Sequence, residues 1–154
     1  MSEEQAAALA AAQARLASAA ALFDQSTLAG QLEHAAALIA GGQLDDAHAA
    51  LAAIEQEASA SPATLAEWEN ASATLAARRA ADAPVASAAD LWEQAELLYR
   101  SAAERGLTDA WLNLALMLSE QGNKQREALE AARQYLDGVS DPAQRALLEN
   151  ALGQ

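Results

Sequence analysis

Residues 95–118 read AELLYRSAAERGLTDAWLNLALML, a pattern that predicts two helices joined by a tight turn. Gly106 is expected to end the first helix, because glycine readily adopts the left-handed backbone conformation found at helix C-termini. Thr108 or Asp109 is expected to cap the second helix. Four residues of the second helix recur at i, i+3, i+4 and i+7 and therefore share one buried face: Trp111, Leu114, Ala115 and Leu118.

The spacing of these four residues recurs in two earlier segments, which begin at Gln31 and at Trp68. We call this spacing the frame and count its positions from its first residue. The frames start about 40 residues apart, as in helical repeats, and each is followed by a second helical pattern. Because one helix pair cannot bury its apolar face alone, the recurrence predicts three stacked helix pairs: residues 26–59, 61–105 and 107–138.

The chain is predicted to form one all-α domain, residues 1–154, with about eight helices. Residues 1–24 predict an N-terminal capping helix, in which Ser2 and Gln5 form a capping box. Residues 140–154 predict a C-terminal capping helix. A coiled-coil homodimer through the first helix is the alternative, so the oligomeric state stays open. Three serines are expected to cap the second, fourth and fifth helices: Ser26, Ser61 and Ser87.

The third frame resembles a known repeat family. Residues 111–118, Trp-x-x-Leu-Ala-x-x-Leu, resemble the opening signature of a tetratricopeptide repeat. Residues 98–106, with Ala110 and residues 113–117, resemble the related Sel1-like repeat. The resemblance is best over residues 95–118 and weaker over 26–142, and it implies a right-handed stack of antiparallel helix pairs, an α-solenoid. Two departures stand out: Gln31 replaces the tryptophan, and the middle unit is longer, which predicts either an extended first helix or a looped connection at 81–85.

Composition supports an all-α fold and narrows the possible partners. Alanine, a strong helix former, is the commonest residue of the 154, and no stretch alternates with the period of a strand. The net charge of −13 disfavours nucleic-acid binding, since phosphates would be repelled. Between Arg15 and Arg78 there is no Lys or Arg, whereas eight acids lie there: Asp24, Glu33, Asp45, Asp46, Glu55, Glu57, Glu67 and Glu69.

No motif indicates chemistry at a metal, a cofactor or a nucleophile. The chain has no cysteine, and His34 and His48 match no metal-ligand spacing. No glycine-rich phosphate loop or nucleophile elbow occurs. No segment has the roughly 20 strongly apolar residues of a membrane span, and Glu3 and Glu4 argue against a signal peptide. We therefore expect a cytoplasmic protein that is not an enzyme, needs no cofactor and does not insert into membranes.

The family resemblance implies a function in protein binding. Tetratricopeptide and Sel1-like proteins are generally interaction scaffolds, and the first helix of each pair often lines a concave groove. Carried over by position, the groove residues are Glu33 in the first unit, Glu69 and Asn70 in the second, and four in the third: Leu112, Asn113, Leu116 and Glu120. The resemblance implies an adaptor or chaperone for a basic or amphipathic protein segment. The alternative is an acidic inhibitor, of the immunity-protein type, that blocks a basic surface of an enzyme or toxin.

Overall fold

The computed structural model describes residues 2–20, 27–139, 142, 143, 145, 146 and 150. In this part of the chain it shows seven helices and no strand: α1 (Glu3–Ala20), α2 (Leu28–Ala40), α3 (Leu44–Ala58), α4 (Pro62–Asp82), α5 (Val85–Glu104), α6 (Thr108–Ser119) and α7 (Gln125–Gly138). The prediction of an all-α fold is confirmed. Most of the predicted eighth helix, residues 140–154, lies outside the described residues, and so does Ser26.

Two predicted helix starts are confirmed by their hydrogen bonds. The Ser2 backbone N–H donates to Gln5 Oε1 at 2.9 Å and the Gln5 N–H donates back to Ser2 Oγ at 3.1 Å, which is a capping box. Ser61 Oγ accepts a hydrogen bond from the Thr64 N–H at 3.2 Å, just before the proline that opens α4. These caps satisfy backbone donors that have no partner within the helix.

The predicted N-caps of α2 and α5, Ser26 and Ser87, were each wrong by a few residues. Thr27 is the N-cap of α2, and its hydroxyl accepts a hydrogen bond from the Gly30 N–H at 3.0 Å. Ser87 lies inside the first turn of α5, where its N–H donates to the Pro84 carbonyl at 2.9 Å. Pro84 is the N-cap there, with ψ at 149°, because the fixed φ of proline sets the start of the helix three residues earlier than a Ser87 cap would.

The turn between α5 and α6 confirms one prediction and corrects another. Gly106 has a φ of 109° and directly follows Arg105, the C-cap of α5, so it lies at the end of that helix as expected. The Leu107 N–H donates to the Ala102 carbonyl at 3.1 Å, which closes the end of α5. Leu107 is thereby fixed as the N-cap of α6, so neither Thr108 nor Asp109 caps that helix.

The extra length of the middle unit, residues 61–105, lies in its two helices. α4 has 21 residues and α5 has 20, whereas the other helices between α2 and α7 have 12 to 15. Only Ala83 and Pro84 connect α4 to α5. Of the two arrangements that the sequence left open, the extended helix is therefore the correct one.

The helices pack first against their neighbours in sequence. α2 contacts α3, α4 contacts α5, and α6 contacts α7. The first helices of successive pairs also touch, because α2 contacts α4 and α4 contacts α6. α1 contacts α2, although most of its described side chains are exposed.

The core confirms the face predicted for α6, with one exception. Leu114 and Leu118 are fully buried and Ala115 is 8% exposed. Trp111 is only half-buried. It packs against two groups of buried side chains, one that includes Leu114 and one that includes Ala66. Trp68 is also half-buried, and its Nε1 donates to the Leu51 carbonyl at 2.8 Å, which joins α4 to α3. Tryptophans thus contribute to packing from the core boundary.

Tyr99 should make the fold sensitive to alkaline pH. Its side chain is buried and its hydroxyl lies 2.8 Å from Thr74 Oγ1. Burial raises the pKa of Tyr99 above its usual value of 10.0, and the Thr74 hydrogen bond offsets part of this. Because the raised pKa belongs to the folded state, the stabilisation is present below about pH 10 and is lost as the pH rises further.

Tyr99→Phe should reduce this alkaline loss, since phenylalanine cannot ionise. Urea denaturation of both proteins at about pH 8 and pH 11 measures it, with the wild type losing more free energy of unfolding than the variant. Equal losses in the two proteins would contradict the assignment to Tyr99.

Candidate functional site

The residues two positions after each frame start lie on the first helix of each predicted pair. These residues are Glu33 on α2, Asn70 on α4 and Asn113 on α6. Asn113 Nδ2 donates to Asn70 Oδ1 at 3.0 Å, a bond that joins α4 to α6. Glu33 and Asn70 line one shallow groove between α2 and α4, of about 370 Å³. The structure therefore brings these three predicted residues onto neighbouring helices.

Glu69 is not the exposed groove residue that the sequence predicted. Its side chain is buried, its Oε2 accepts a hydrogen bond from Ser101 Oγ at 2.6 Å, and its Oε1 lies 2.7 Å from Arg105 Nε. The physical reason is that α5 and its C-cap supply two polar partners, Ser101 and Arg105, which hold the carboxylate between the helices. Glu69 therefore stabilises the contact between α4 and α5.

Glu67 is a groove residue that the sequence reasoning did not select. It is exposed and lines the groove between α2 and α4 together with Glu33, Asn70 and Thr74. We call this surface the polar groove. The helical spacing of Glu67, Asn70 and Thr74, at i, i+3 and i+7, was the signal that could have found it.

The acidic stretch is partly neutralised within the chain. Asp45 Oδ1 lies 3.1 Å from Arg79 Nη2, and Glu69 pairs with Arg105. Asp24 lies outside the described residues. The other five acids of the stretch are exposed: Glu33, Asp46, Glu55, Glu57 and Glu67.

An apolar groove lies between α6 and α7. Its volume is about 310 Å³, and nearly all of the side chains along it are apolar: Leu112, Ala115, Leu116, Ser119, Gln125, Ala128, Leu129, Ala132, Tyr135 and Leu136. Leu116 is 55% exposed and Leu129 is 43% exposed. Gln125 Nε2 donates to the Ser119 carbonyl at 3.1 Å across one end. We call this surface the apolar groove.

The seven predicted binding residues therefore separate into several environments. Leu112 and Leu116 line the apolar groove, and Glu33 and Asn70 line the polar groove. Asn113 joins α4 to α6 through its hydrogen bond to Asn70. Glu120 is the exposed C-cap of α6 and follows the groove residue Ser119. Glu69 is buried.

A third recess was not indicated by the sequence. It lies along α5 and has two strongly exposed apolar residues, Val85 at 91% and Leu97 at 63%. Two of its charged side chains are joined to one another, because Lys124 Nζ lies 3.4 Å from Glu96 Oε1. This recess therefore mixes apolar and ion-paired groups, unlike the apolar groove.

The described residues hold neither a cluster of candidate metal ligands nor a helix that could span a bilayer. No group of three His, Asp or Glu side chains in this part of the chain could hold a metal ion. None of the helices in the described ranges is long and apolar enough to cross a bilayer.

Comparison with protein-family models, with curated proteins and with solved structures finds no match to this chain. The resemblance to tetratricopeptide and Sel1-like repeats therefore rests on the residues of the frames.

Proposed function

We propose that this chain is a protein-interaction module, an adaptor or chaperone built as a right-handed stack of tetratricopeptide-like helix pairs. Three pairs in contact, and the contacts of α2 with α4 and of α4 with α6, support the stack. In such a stack the first helices share one face, and the Asn70–Asn113 hydrogen bond fits that arrangement.

The apolar groove is the observation that carries the proposal. Leu116 and Leu129 expose about half of their side chains, on the two helices that flank one continuous apolar depression. A concave apolar surface of this kind suits the apolar face of an amphipathic helix, whose residues at i, i+3, i+4 and i+7 enter the groove. The partner is therefore a protein segment with paired large apolar side chains.

The polar groove adds a preference for basic residues. Glu33 and Glu67 are exposed there, and the nearest sequence positions with positive charge are Arg15 and Arg78. Exposed charge pairs contribute little affinity each, because salt screens them within about 8–10 Å. Their main effect is to raise the association rate of a basic segment, while the leucines of the apolar groove slow its dissociation.

The inhibitor alternative is favoured by a different surface. α3 exposes Asp46, Glu55 and Glu57, so a basic enzyme or toxin surface could be blocked there without the apolar groove. The two functions differ in which substitutions abolish binding.

Peptide selection tests the adaptor function directly. A displayed library of random 16-residue peptides is selected on the full chain, and the selected peptides are measured on two variants. Leu116→Glu places a charge in the apolar groove and should weaken binding at least about tenfold, because the charge would be desolvated by the peptide. Leu97→Glu is the matched control, since Leu97 is a leucine of similar exposure outside that groove.

The selected peptides should carry paired leucines or aromatic residues at helical spacing and bind Leu97→Glu as tightly as the wild type. Peptides that bind both variants equally, or that lose affinity only for Leu97→Glu, would show that the apolar groove is not the site. Selected peptides that are basic and lack apolar pairs would favour the inhibitor function.

A further inference from the structure

Two arginines of α7, Arg126 and Arg133, border the apolar groove and have no part in the proposed function. Both side chains are exposed. At about 100° per residue, they project about 60° and about 40° from the groove residue Leu129, on the side away from the buried Ala128. They are seven residues apart in sequence, which is about two turns, or about 11 Å, along the helix. We call this pair the basic rim.

Neither arginine of the basic rim makes an ion pair in the part of the chain that the structure describes. The ion pairs found there involve other cations: Arg79, Arg100, Arg105, Lys124 and Arg145. Glu130 lies between the two arginines in sequence, but it projects about 100° from Leu129, farther from the groove than either of them. Asp137, one turn after Arg133, already has a partner, because its Oδ1 lies 3.6 Å from Arg145 Nη2. The basic rim can therefore bind an acid of another molecule.

The opposite edge of the apolar groove, along α6, carries acids instead. Asp109 in the first turn of α6 and Glu120 at its C-cap are both exposed. They project about 20° and about 40° from the groove residue Leu116, on the side away from the buried Ala115. Within the described ranges neither acid makes an ion pair. We call this pair the acidic rim.

The two rims are aligned because α6 and α7 run antiparallel. Gln125 Nε2 donates to the Ser119 carbonyl at 3.1 Å, so the end of α6 lies beside the start of α7. At the other end, a Cβ atom on Gly138 would lie 2.5 Å from Thr108 Cγ2, so the start of α6 lies beside the end of α7. Each end of the apolar groove therefore has one acid on its α6 edge and one arginine on its α7 edge.

Rims of opposite sign discriminate between helices by their charge pattern. A uniformly basic helix in the groove would place like charges beside Arg126 and Arg133, and a uniformly acidic helix would do so beside Asp109 and Glu120. Like charges at close range destabilise a complex. A helix with acids along one flank and Lys or Arg along the other meets an opposite charge at both rims.

We propose that the apolar groove selects amphipathic helices whose two flanks carry opposite charge, and that Arg126 and Arg133 bind the acidic flank. Acids seven residues apart on the partner helix match the spacing of the two arginines. The inference rests on the proposed function and adds the class of partner that the groove accepts. The leucines of the groove contribute the affinity, whereas the rims determine which helices bind and in which direction they lie.

The preference is a local effect of the two rims. Salt screens exposed charges within about 8–10 Å, so the net charge of −13 acts weakly on a flank that lies against the basic rim. Each exposed ion pair contributes little by itself. A helix with the wrong flank loses two such pairs and adds two repulsions, which together should weaken binding at least about fivefold.

A set of four related peptides tests the charge preference. The starting point is a peptide from the library that binds the wild type and fails to bind Leu116→Glu. Its apolar residues are kept, and its two flanks are made all Glu, all Lys, Glu and Lys, or Lys and Glu. Glu and Lys have similar helix propensities, so the four peptides differ mainly in charge pattern. Two split forms are needed, because the direction of the bound helix decides which flank faces α7.

One split form should bind the wild type at least about fivefold more tightly than either uniform form, measured by fluorescence anisotropy in about 0.1 M salt. In about 1 M salt the difference should nearly disappear, because the screening length falls from about 10 Å to about 3 Å. A uniform form that binds as tightly as the better split form, or a preference that persists in the higher salt, would overturn the proposal.

Arg126→Gln combined with Arg133→Gln tests the basic rim itself. The all-Lys peptide should bind this double variant about as tightly as the better split form, because only the acidic rim remains. Arg78→Glu is the matched control, since it lies on α4, outside the apolar groove, and changes the net charge by the same amount. The control should keep the preference of the wild type. The same ratio of the two affinities in both variants would contradict the role of the arginines.

The two proposals can fail separately. If all four peptides bind the wild type equally and all fail to bind Leu116→Glu, the charge preference is wrong and the adaptor function stands. If the library yields no peptide whose binding depends on Leu116, the apolar groove is not the site and both proposals are overturned.

Discussion

Leu114→Ala is expected to lower the free energy of unfolding by about 3–4 kcal/mol, a large share of the stability of a domain of this size. Leu114 is fully buried in the cluster that joins α4, α5, α6 and α7. Many of its neighbours there are alanines, among them Ala73, Ala95 and Ala131. Alanines cannot change rotamer to fill the space, so the cavity should remain. Urea denaturation followed by circular dichroism measures the effect.

Leu97→Ala is the matched control for this substitution, since Leu97 is 63% exposed. It should change the free energy of unfolding by less than about 0.5 kcal/mol. A similar loss in both variants would contradict the placement of the core on the frame face of α6.

Glu69→Ala is expected to cost about 2 kcal/mol. The carboxylate is buried and makes two short polar contacts, with Ser101 Oγ at 2.6 Å and with Arg105 Nε at 2.7 Å. Hydrogen bonds that involve a charged group contribute about 1.5–3 kcal/mol. Arg105 is 39% exposed, so water can solvate it after the substitution, which keeps the cost below that of a fully buried pair.

Two further variants separate the ion pair from the packing of Glu69. Glu69→Gln keeps the size and a hydrogen-bond acceptor, so it should cost about half as much as alanine. Glu67→Ala is the control, because Glu67 and Glu69 lie on either side of Trp68 but Glu67 is exposed. This substitution should lower the free energy of unfolding by less than about 0.5 kcal/mol. Thermal denaturation of the variants at one pH gives the order, and equal effects of Glu67→Ala and Glu69→Ala would contradict the structural role of Glu69.

Local signals in the sequence were sufficient for the seven helices of the described residues and for several of their ends. The capping box of Ser2 and Gln5, the Ser61-Pro62 start and the Gly106 end depend on residues close in sequence, and each was confirmed. Ser87 was placed wrongly because two local signals competed, and the proline at 84 determined the start of α5. The frame spacing also predicted which side of α6 is buried.

The candidate site was harder to predict because it depends on which helices meet. Asn70 and Asn113 were found since they share a frame position, and the contact between α4 and α6 then brings them together. Glu69 looked like an exposed acid, and its partners Ser101 and Arg105 are more than 30 residues away in sequence. The α7 side of the apolar groove, with Leu129, was not selected, because no frame position exists on the second helix of a pair.

The most direct test of the binding function is a nuclear magnetic resonance titration of the methyl-labelled chain with one leucine-containing peptide from the selection. Methyl signals of Leu112, Leu116 and Leu129 should shift in proportion to the bound fraction, since these side chains line the apolar groove. The methyl signals of Leu97 and Val85, on the recess along α5, should not change. Shifts confined to Leu97 and Val85, or to residues of α2 and α3, would contradict binding at the apolar groove.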